Sequence, residues 1–335
     1  MNVYELQKQN DANALVRAQR ADPAPGPYQI VVQVRAVSLN YRDLMILANP
    51  AQTTPRIPVS DGAGEVIAVG TGVTRVAVGD RVAGAFFQNW SAGDVSAAAH
   101  DLALGGSVDG MLAEQVLLSE EGVVRFPDHL SYEEAATLPC AAVTVWNALI
   151  EQGGLRAGQT VLLLGTGGVS ILGLQFAKQH GARVIVTSSS DEKLASAKSL
   201  GADETVNYRT TPDWEKAVWE MTGRTGVDQV VEVGGAGTLE KSLQSVRDGG
   251  TVSLIGVLTG FEARINPILV LQKSVRLQGI YVGSRATFAN MNRAVAQSRL
   301  KPVIDRVFPF VEAPVAYEFL RSGSHFGKVV IRVGD

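Results

Sequence analysis

The chain has 335 residues, of which 19% are charged and 46% hydrophobic, and its formal net charge is -3. That length accommodates two domains with a large core, and so balanced a charge leaves no electrostatic footprint for nucleic acid or an anionic membrane. Cys140 is the only cysteine, which excludes an intrachain disulfide and a cysteine-built zinc cluster; residues 1–8 are too polar for a signal peptide, so a cytoplasmic location is expected.

Up to residue 125 the chain reads as β-rich. After the turn signal Pro23-Ala24-Pro25-Gly26-Pro27, residues 28–37 alternate as a half-buried strand, and residues 64–70 and 80–84 are short strands bounded by glycine. Residues 86–110 are rich in small side chains and lack periodicity, which suits a loop or lobe over a site. From Ser131 the pattern changes to alternating helices and strands. Ser131-Tyr132-Glu133-Glu134 is a capping box for a helix over Ala135 to Leu138.

The most specific stretch follows. The apolar run 161–164 ends in Gly165-Thr166-Gly167-Gly168-Val169-Ser170 and passes into a helical pattern up to Lys178. Such a strand, glycine turn and helix can hold a pyrophosphate, because glycine lets backbone N–H groups approach the oxygens and the helix dipole favours the anion. The next strand, residues 183–187, ends about 20 residues after the glycines, where a ribose-reading residue belongs. No charge occurs between Ala157 and Ala177, so a membrane span is the rival reading. Four glycines between Gly165 and Gly173 and a change of period midway oppose it. Further strands are expected over residues 229–233, 251–255 and 275–280, with helices between the first two, and alternation of this kind implies a parallel sheet covered on both faces. Residues 327–333 form a last strand, returning to the first domain.

Taken together, Asn40-Tyr41-Arg42-Asp43-Leu44, Asp61-Gly62-Ala63-Gly64-Glu65-Val66, Val78-Gly79-Asp80-Arg81-Val82, Ala135-Ala136-Thr137-Leu138-Pro139, the glycine turn and Gly327-Lys328-Val329-Val330 resemble the medium-chain dehydrogenase/reductase family over essentially the whole chain. The resemblance implies an α/β protein. A GroES-like β-rich catalytic domain would span residues 1–125 and 285–335, and a Rossmann domain, a doubly wound parallel sheet, residues 126–284. A substrate cleft would lie between them. It also implies an oligomer, here expected to be a homodimer, with the strand at 275–280 near the sheet edge. In the family's zinc-dependent alcohol dehydrogenases a Cys, a His and a second Cys hold the catalytic metal, and the matching positions here are Asn40, Ser60 and Cys140. Asn and Ser are poor zinc ligands, and the lobe at 86–110 has none of the cysteines of a structural zinc site. No metal is expected, and the chain is similar to the zinc-independent branch of quinone oxidoreductases and enone reductases.

The cofactor follows from charge. NAD-preferring domains carry an acid at the end of the second strand. Here the alignment places Ser188 there, followed by Ser189, with Lys193, Tyr208 and Arg209 where NADPH-dependent relatives bind the 2′-phosphate, so NADPH is expected; ordinary surface charge is the rival reading of Lys193 and Arg209. Gly165, Thr166, Gly167, Gly168 and Val169 would hold the pyrophosphate, and Thr144 resembles the family threonine near the nicotinamide. Without a metal, a quinone or an α,β-unsaturated carbonyl is the easier hydride acceptor, because conjugation spreads the incoming charge. Tyr41 would hydrogen-bond the substrate oxygen or deliver a proton, Asn40 and Asp43 would shape and polarise the site, and Phe86, Phe87 and Trp90 would wall a flat small-molecule substrate. Two alternatives stand beside this: an alcohol dehydrogenase or carbonyl reductase on the same scaffold, and a nucleotide-binding protein with little catalysis.

Overall fold

Period-two strands between glycine turns build one unit of this protein, and apolar runs alternating with helices build the other. The computed structural model describes residues 1–9, 12–52, 55–262 and 264–334. It divides into a unit of Met1–Val143 with Gly283–Asp335 and a unit of Thr144–Val282.

In the first unit the long strand Gln29–Leu39 is central. Asp61–Val69 pairs antiparallel along one edge. The other edge is shared by Gln115–Ser119, on residues 29–33, and Lys328–Arg332, on residues 36–39. Arg81–Gly84 and Val123–Arg125 extend the sheet on one side, and Ile304–Pro309 lies parallel to Lys328–Arg332 on the other. The inward positions, among them Val32, Val34, Val66, Val82, Leu112, Val329 and Ile331, form one apolar core. Asn2–Gln9 and Ala12–Gln19 form a separate antiparallel pair.

The capping box at Ser131 is present: Ser131 Oγ accepts from Glu134 N at 3.2 Å, and Ser131 N donates to Glu134 Oε2 at 2.8 Å. The helix it starts, Tyr132–Ala136, packs on Gln29–Leu39 and Asp61–Val69. Residues 126–143 therefore belong with the first unit, and the division falls after Val143 rather than near residue 125. Beyond the helix, Leu138–Ala142 takes a wide π-type turn, where Pro139 has no N–H to close a regular one.

The second unit holds a parallel sheet in the order Glu204–Asn207, Arg183–Ser188, Thr160–Leu164, Val227–Glu232, Val246–Leu254, Arg276–Gly279. The strand order reverses at Thr160–Leu164. The crevice at that reversal, outside the carboxyl ends, is where such sheets bind ligands. The stretch from Ala157 to Ala177 is this strand followed by the 12-residue helix Gly168–Gln179, and among the described residues no helix is long and apolar enough to cross a membrane.

Candidate active site

Strand register assembles a polar cluster at one end of the first unit's sheet. Ser38 pairs with Asp61 and Leu39 with Val329, so Asn40, Ser60, Asp61 and Lys328 meet although their positions in the chain span almost its whole length. Lys328 is only 3% exposed. Its Nζ donates to Leu39 O at 2.7 Å and to Asn40 Oδ1 at 2.6 Å. Asp61, fully buried, accepts from Ser60 Oγ at 2.6 Å and from Cys140 N at 3.0 Å. Burial pulls the Lys328 ammonium below the ordinary lysine range, and the Asp61 and Asp43 carboxylates partly offset it.

Asn40 begins the helix Tyr41–Ala48. Its backbone N–H donates to Asp43 Oδ2 at 2.7 Å, which ties the first turn together. Burial pushes the Asp43 carboxyl up to about 6, with Arg42 and the Asn40 N–H pulling the other way. Asp43 Oδ1 and the buried hydroxyl of Tyr317 have no hydrogen-bond partner among the described residues. Burial, with Asp43 adding to it, raises the Tyr317 phenol well above its usual range. Tyr41 is 44% exposed, so its phenol is accessible. The structure thus brings Asn40, Tyr41 and Asp43 to one helix start and adds Ser60, Asp61, Cys140 and Lys328. Lys328 stands in the landmark Gly327-Lys328-Val329-Val330 but was not read as a site residue; its signal is a cation at the first position of a strand that is apolar up to Arg332.

The expected aromatic wall is mostly core. Phe86 and Phe87 are buried edge to face at 4.7 Å, and the Arg42 guanidinium lies 4.5 Å over the Phe86 ring. The chain bends at Phe86 just after the sheet strand Arg81–Gly84, and Phe87 bridges to Ala103, so both rings are turned into the interior. Trp90 is half-buried, its indole N–H donating to Gly93 O at 3.0 Å.

In the second unit, Gly165 has φ +74°, a conformation glycine adopts without penalty, and it carries the chain from the strand to Thr166 and Gly167. Gly167 caps the helix that starts with Gly168 and Val169. Ser170, at the place of the third fingerprint glycine, donates its hydroxyl to Leu164 O at 2.6 Å. Close packing is left to Gly173, where an added Cβ would lie 2.9 Å from Val145 Cγ2 and 3.2 Å from Leu163 Cδ2. Ser188 ends its strand opposite Asn207, and Tyr208 N donates to Ser188 O at 3.0 Å. Ser189 follows half-buried, Ser190 Oγ caps the next helix by accepting from Lys193 N at 3.3 Å, and Arg209 is exposed. The serines, Lys193, Tyr208 and Arg209 thus gather at the carboxyl ends of two adjacent strands. Thr144 is buried at the start of this unit. Glu232 was also missed: fully buried, it accepts from Gly234 N at 2.7 Å, Gly235 N at 2.9 Å, Thr238 Oγ1 at 2.6 Å and Ser242 Oγ, and so fixes the loop beside the glycine turn.

A doubly wound sheet with a glycine turn at its reversal, carried with a β-rich unit, defines a nicotinamide-dependent oxidoreductase. The model of the alcohol dehydrogenase GroES-like domain matches residues 26–128, and that of zinc-binding dehydrogenase residues 168–297. A zinc-type alcohol dehydrogenase-like protein of Schizosaccharomyces pombe is 42% identical over 317 residues, 92% of this chain and 91% of that protein. A quinone oxidoreductase of Pseudomonas aeruginosa is 32% identical over 291 residues, 86% and 81% of the two chains. Among solved structures, a candidate alcohol dehydrogenase from Sinorhizobium meliloti 1021 matches with a TM-score of 0.93 and 43% identity, over 99% of this chain and 98% of that one. An NAD-dependent alcohol dehydrogenase matches with a TM-score of 0.90 and 34% identity, over 100% of both. The chain belongs to the medium-chain dehydrogenase/reductase family.

Zinc, which the family name implies, does not fit the residues present. Asn40 and Ser60 supply no imidazole or thiolate. Cys140 is the single thiol at these three positions, and burial, reinforced by Asp61, pushes it up to about 12 in the metal-free protein. The Asn40 carboxamide oxygen is already taken by the Lys328 ammonium. Among the described residues no group of three His, Cys, Asp or Glu side chains is placed to hold a metal.

Proposed function

We propose that this oxidoreductase is an NADPH-dependent reductase of quinones or α,β-unsaturated carbonyls that works without zinc. The observation that carries the proposal is the donor set of the first unit: an asparagine, a serine and a single thiol at the metal-ligand positions, with a buried lysine on the asparagine. The groups there offer hydrogen bonds in place of a Lewis acid, which suits a conjugated acceptor that disperses charge by itself better than a simple carbonyl.

When bound, the reduced nicotinamide supplies the hydride. The Asn40 Nδ2 group donates a hydrogen bond to the substrate oxygen as charge develops there, and the accessible Tyr41 hydroxyl donates a second one or the proton that completes reduction. Thr144 would border the nicotinamide, as the family threonine does. The turn from Gly165 to Val169 would hold the pyrophosphate by backbone N–H groups at a helix start. Ser188 and Ser189 leave room for a 2′-phosphate that an acid would repel, and Lys193, Tyr208 and Arg209 ring the same strand ends. The name of the Pseudomonas aeruginosa relative supports a quinone acceptor. The names of the fission-yeast relative and of the NAD-dependent structure favour a second reading, an alcohol dehydrogenase or carbonyl reductase. The working form is a homodimer joined at the edge strand Arg276–Gly279, whose surroundings expose Phe261 (76%), Leu271 (72%) and Tyr281.

A panel of quinones, enones, saturated aldehydes and alcohols, assayed with NADPH and NADH before and after chelation, tests this. Expected are turnover of a quinone or enone, preference for NADPH, survival in chelator and no bound zinc. Stoichiometric zinc with preferred turnover of a saturated aldehyde establishes the second reading. Tight NADPH binding with no turnover points to a nucleotide-binding protein. A monomer mass in light scattering at micromolar concentration overturns the dimer.

A further inference from the structure

We infer that Lys328 is a positioning residue for catalysis, which by binding Asn40 Oδ1 turns the carboxamide so that its N–H, not its carbonyl, is offered to the substrate oxygen. This deepens the proposed function and rests on the placement of Asn40 beside that oxygen.

A carboxamide can present either end, and the choice is set by its neighbours. Lysine is a donor with no acceptor, so a Nζ at 2.6 Å leaves Asn40 only one orientation: Oδ1 toward Lys328 and Nδ2 away from it. One Nδ2 proton has Ser38 O at 3.5 Å, the outer limit of a hydrogen bond, and the other is free for a ligand. Asn40 itself is half-buried, so its amide is reachable. An ammonium on the carbonyl end also withdraws electron density along the amide and makes its N–H a stronger donor.

The energetics point the same way. Both hydrogen-bond partners of the buried Lys328 ammonium, Leu39 O and Asn40 Oδ1, are neutral. Its charge is balanced only at longer range by Asp61 and Asp43. Burying a cation on such terms opposes folding, and a methionine of similar length would fill the same space without that penalty. The strand Lys328–Arg332 is otherwise built of valine, isoleucine and one exposed arginine, so the charge at its first position serves no packing need. What the charge does control is the group it touches.

A double-mutant cycle on kcat tests the inference, using the substrate that the wild-type protein reduces fastest. Lys328→Met is expected to lower kcat about tenfold, with KM for the substrate and Kd for NADPH each changed by less than about twofold. Asn40→Ala is expected to lower kcat by about tenfold to a hundredfold. In the Asn40→Ala background, Lys328→Met should then change kcat by less than about twofold, because its route of action is gone. Lys328→Arg, which also only donates, should recover most of the wild-type kcat. Equal losses in both backgrounds overturn the inference, as does a Lys328→Met variant that keeps kcat but binds NADPH at least about tenfold more weakly, which would place the lysine on the cofactor. If Lys328→Met does not fold, Lys328→Gln completes the cycle: a glutamine amide can accept as well as donate, so it should lose kcat in the wild-type background only. A wrong choice of substrate class changes which substrate is used and leaves the coupling between the two positions measurable.

Discussion

The candidate sites of the two units are built by opposite means. In Thr144–Val282 the glycine turn consists of consecutive residues from Gly165 to Gly173, and what it would offer a cofactor is mostly backbone N–H donors that any sequence with the right glycines supplies. In the other unit the cluster joins Asn40, Ser60, Asp61, Cys140 and Lys328 through the pairing of three strands and one π-type turn, and its distinctive groups are side chains, tied in by the Cys140 N–H and the Leu39 carbonyl. A backbone site keeps its chemistry as long as the turn survives. A side-chain site can exchange its chemistry while the fold stays the same, and here the metal-ligand positions carry an amide, a hydroxyl and a single thiol.

If the side-chain cluster is one electrostatic unit, the largest response should come from Asp61. Asp61→Ala strands two donors, Ser60 Oγ and Cys140 N, and removes the larger of the two carboxylate contributions that balance the buried Lys328 charge. A loss of about 3–5 kcal/mol in urea unfolding is expected, and a loss under about 1 kcal/mol would mean that these groups do not act together.

Asp43 should respond in the other direction. Its carboxyl titrates near 6 in the folded protein, above the ordinary value of 3.8, so between those values the folded state holds the proton more firmly than the unfolded chain. Stability from this group is therefore lost as pH rises from about 4 to 6, by at most about 3 kcal/mol. Asp43→Asn should raise the Tm at pH 7.5 and leave it unchanged near pH 3.5. A variant that is less stable at both pH values would show that the charged form is needed by the fold.

On the cofactor side, Lys193→Ala should weaken NADPH by about tenfold or more and leave NADH nearly unchanged, since a charge-assisted contact contributes about 1.5–3 kcal/mol. Ser188→Asp should push preference further toward NADH. Equal weakening of both cofactors, read by fluorescence titration, would return Lys193 to the ordinary surface. The smallest change is expected for Tyr41→Phe: with the phenol 44% exposed, water replaces much of what it offers, and kcat should fall by less than about tenfold.

Local signals carried the sequence reading far. The turn at Gly165, the capping box at Ser131 and the strand expected at 28–37, found as Gln29–Leu39, all depend on neighbours within a few residues. What went unseen depends on register. Nothing near Lys328 announces that Val329 pairs with Leu39, and nothing near Asp43 announces that its carboxyl is buried beside Tyr317. The pair Asn2–Gln9 and Ala12–Gln19 was missed because glutamine, asparagine and lysine blur its alternation. Phe86 and Phe87 suggested a wall for a flat substrate, but the bend after the sheet strand turns both rings inward.

The position of Lys328–Arg332 also bears on how the protein is made. This strand lies inside its sheet, paired on both sides between the edge strand Ile304–Pro309 and Gln29–Leu39, yet a ribosome reaches it only after the whole of Thr144–Val282 has been synthesised. Until then the half of Gln29–Leu39 at residues 36–39 has an unpaired edge, in a nascent chain whose parallel sheet can already form. Closure of the first sheet is thus a late, long-range event that should set the pace of folding, and the stretch that waits for it is where a chaperone would be expected to bind.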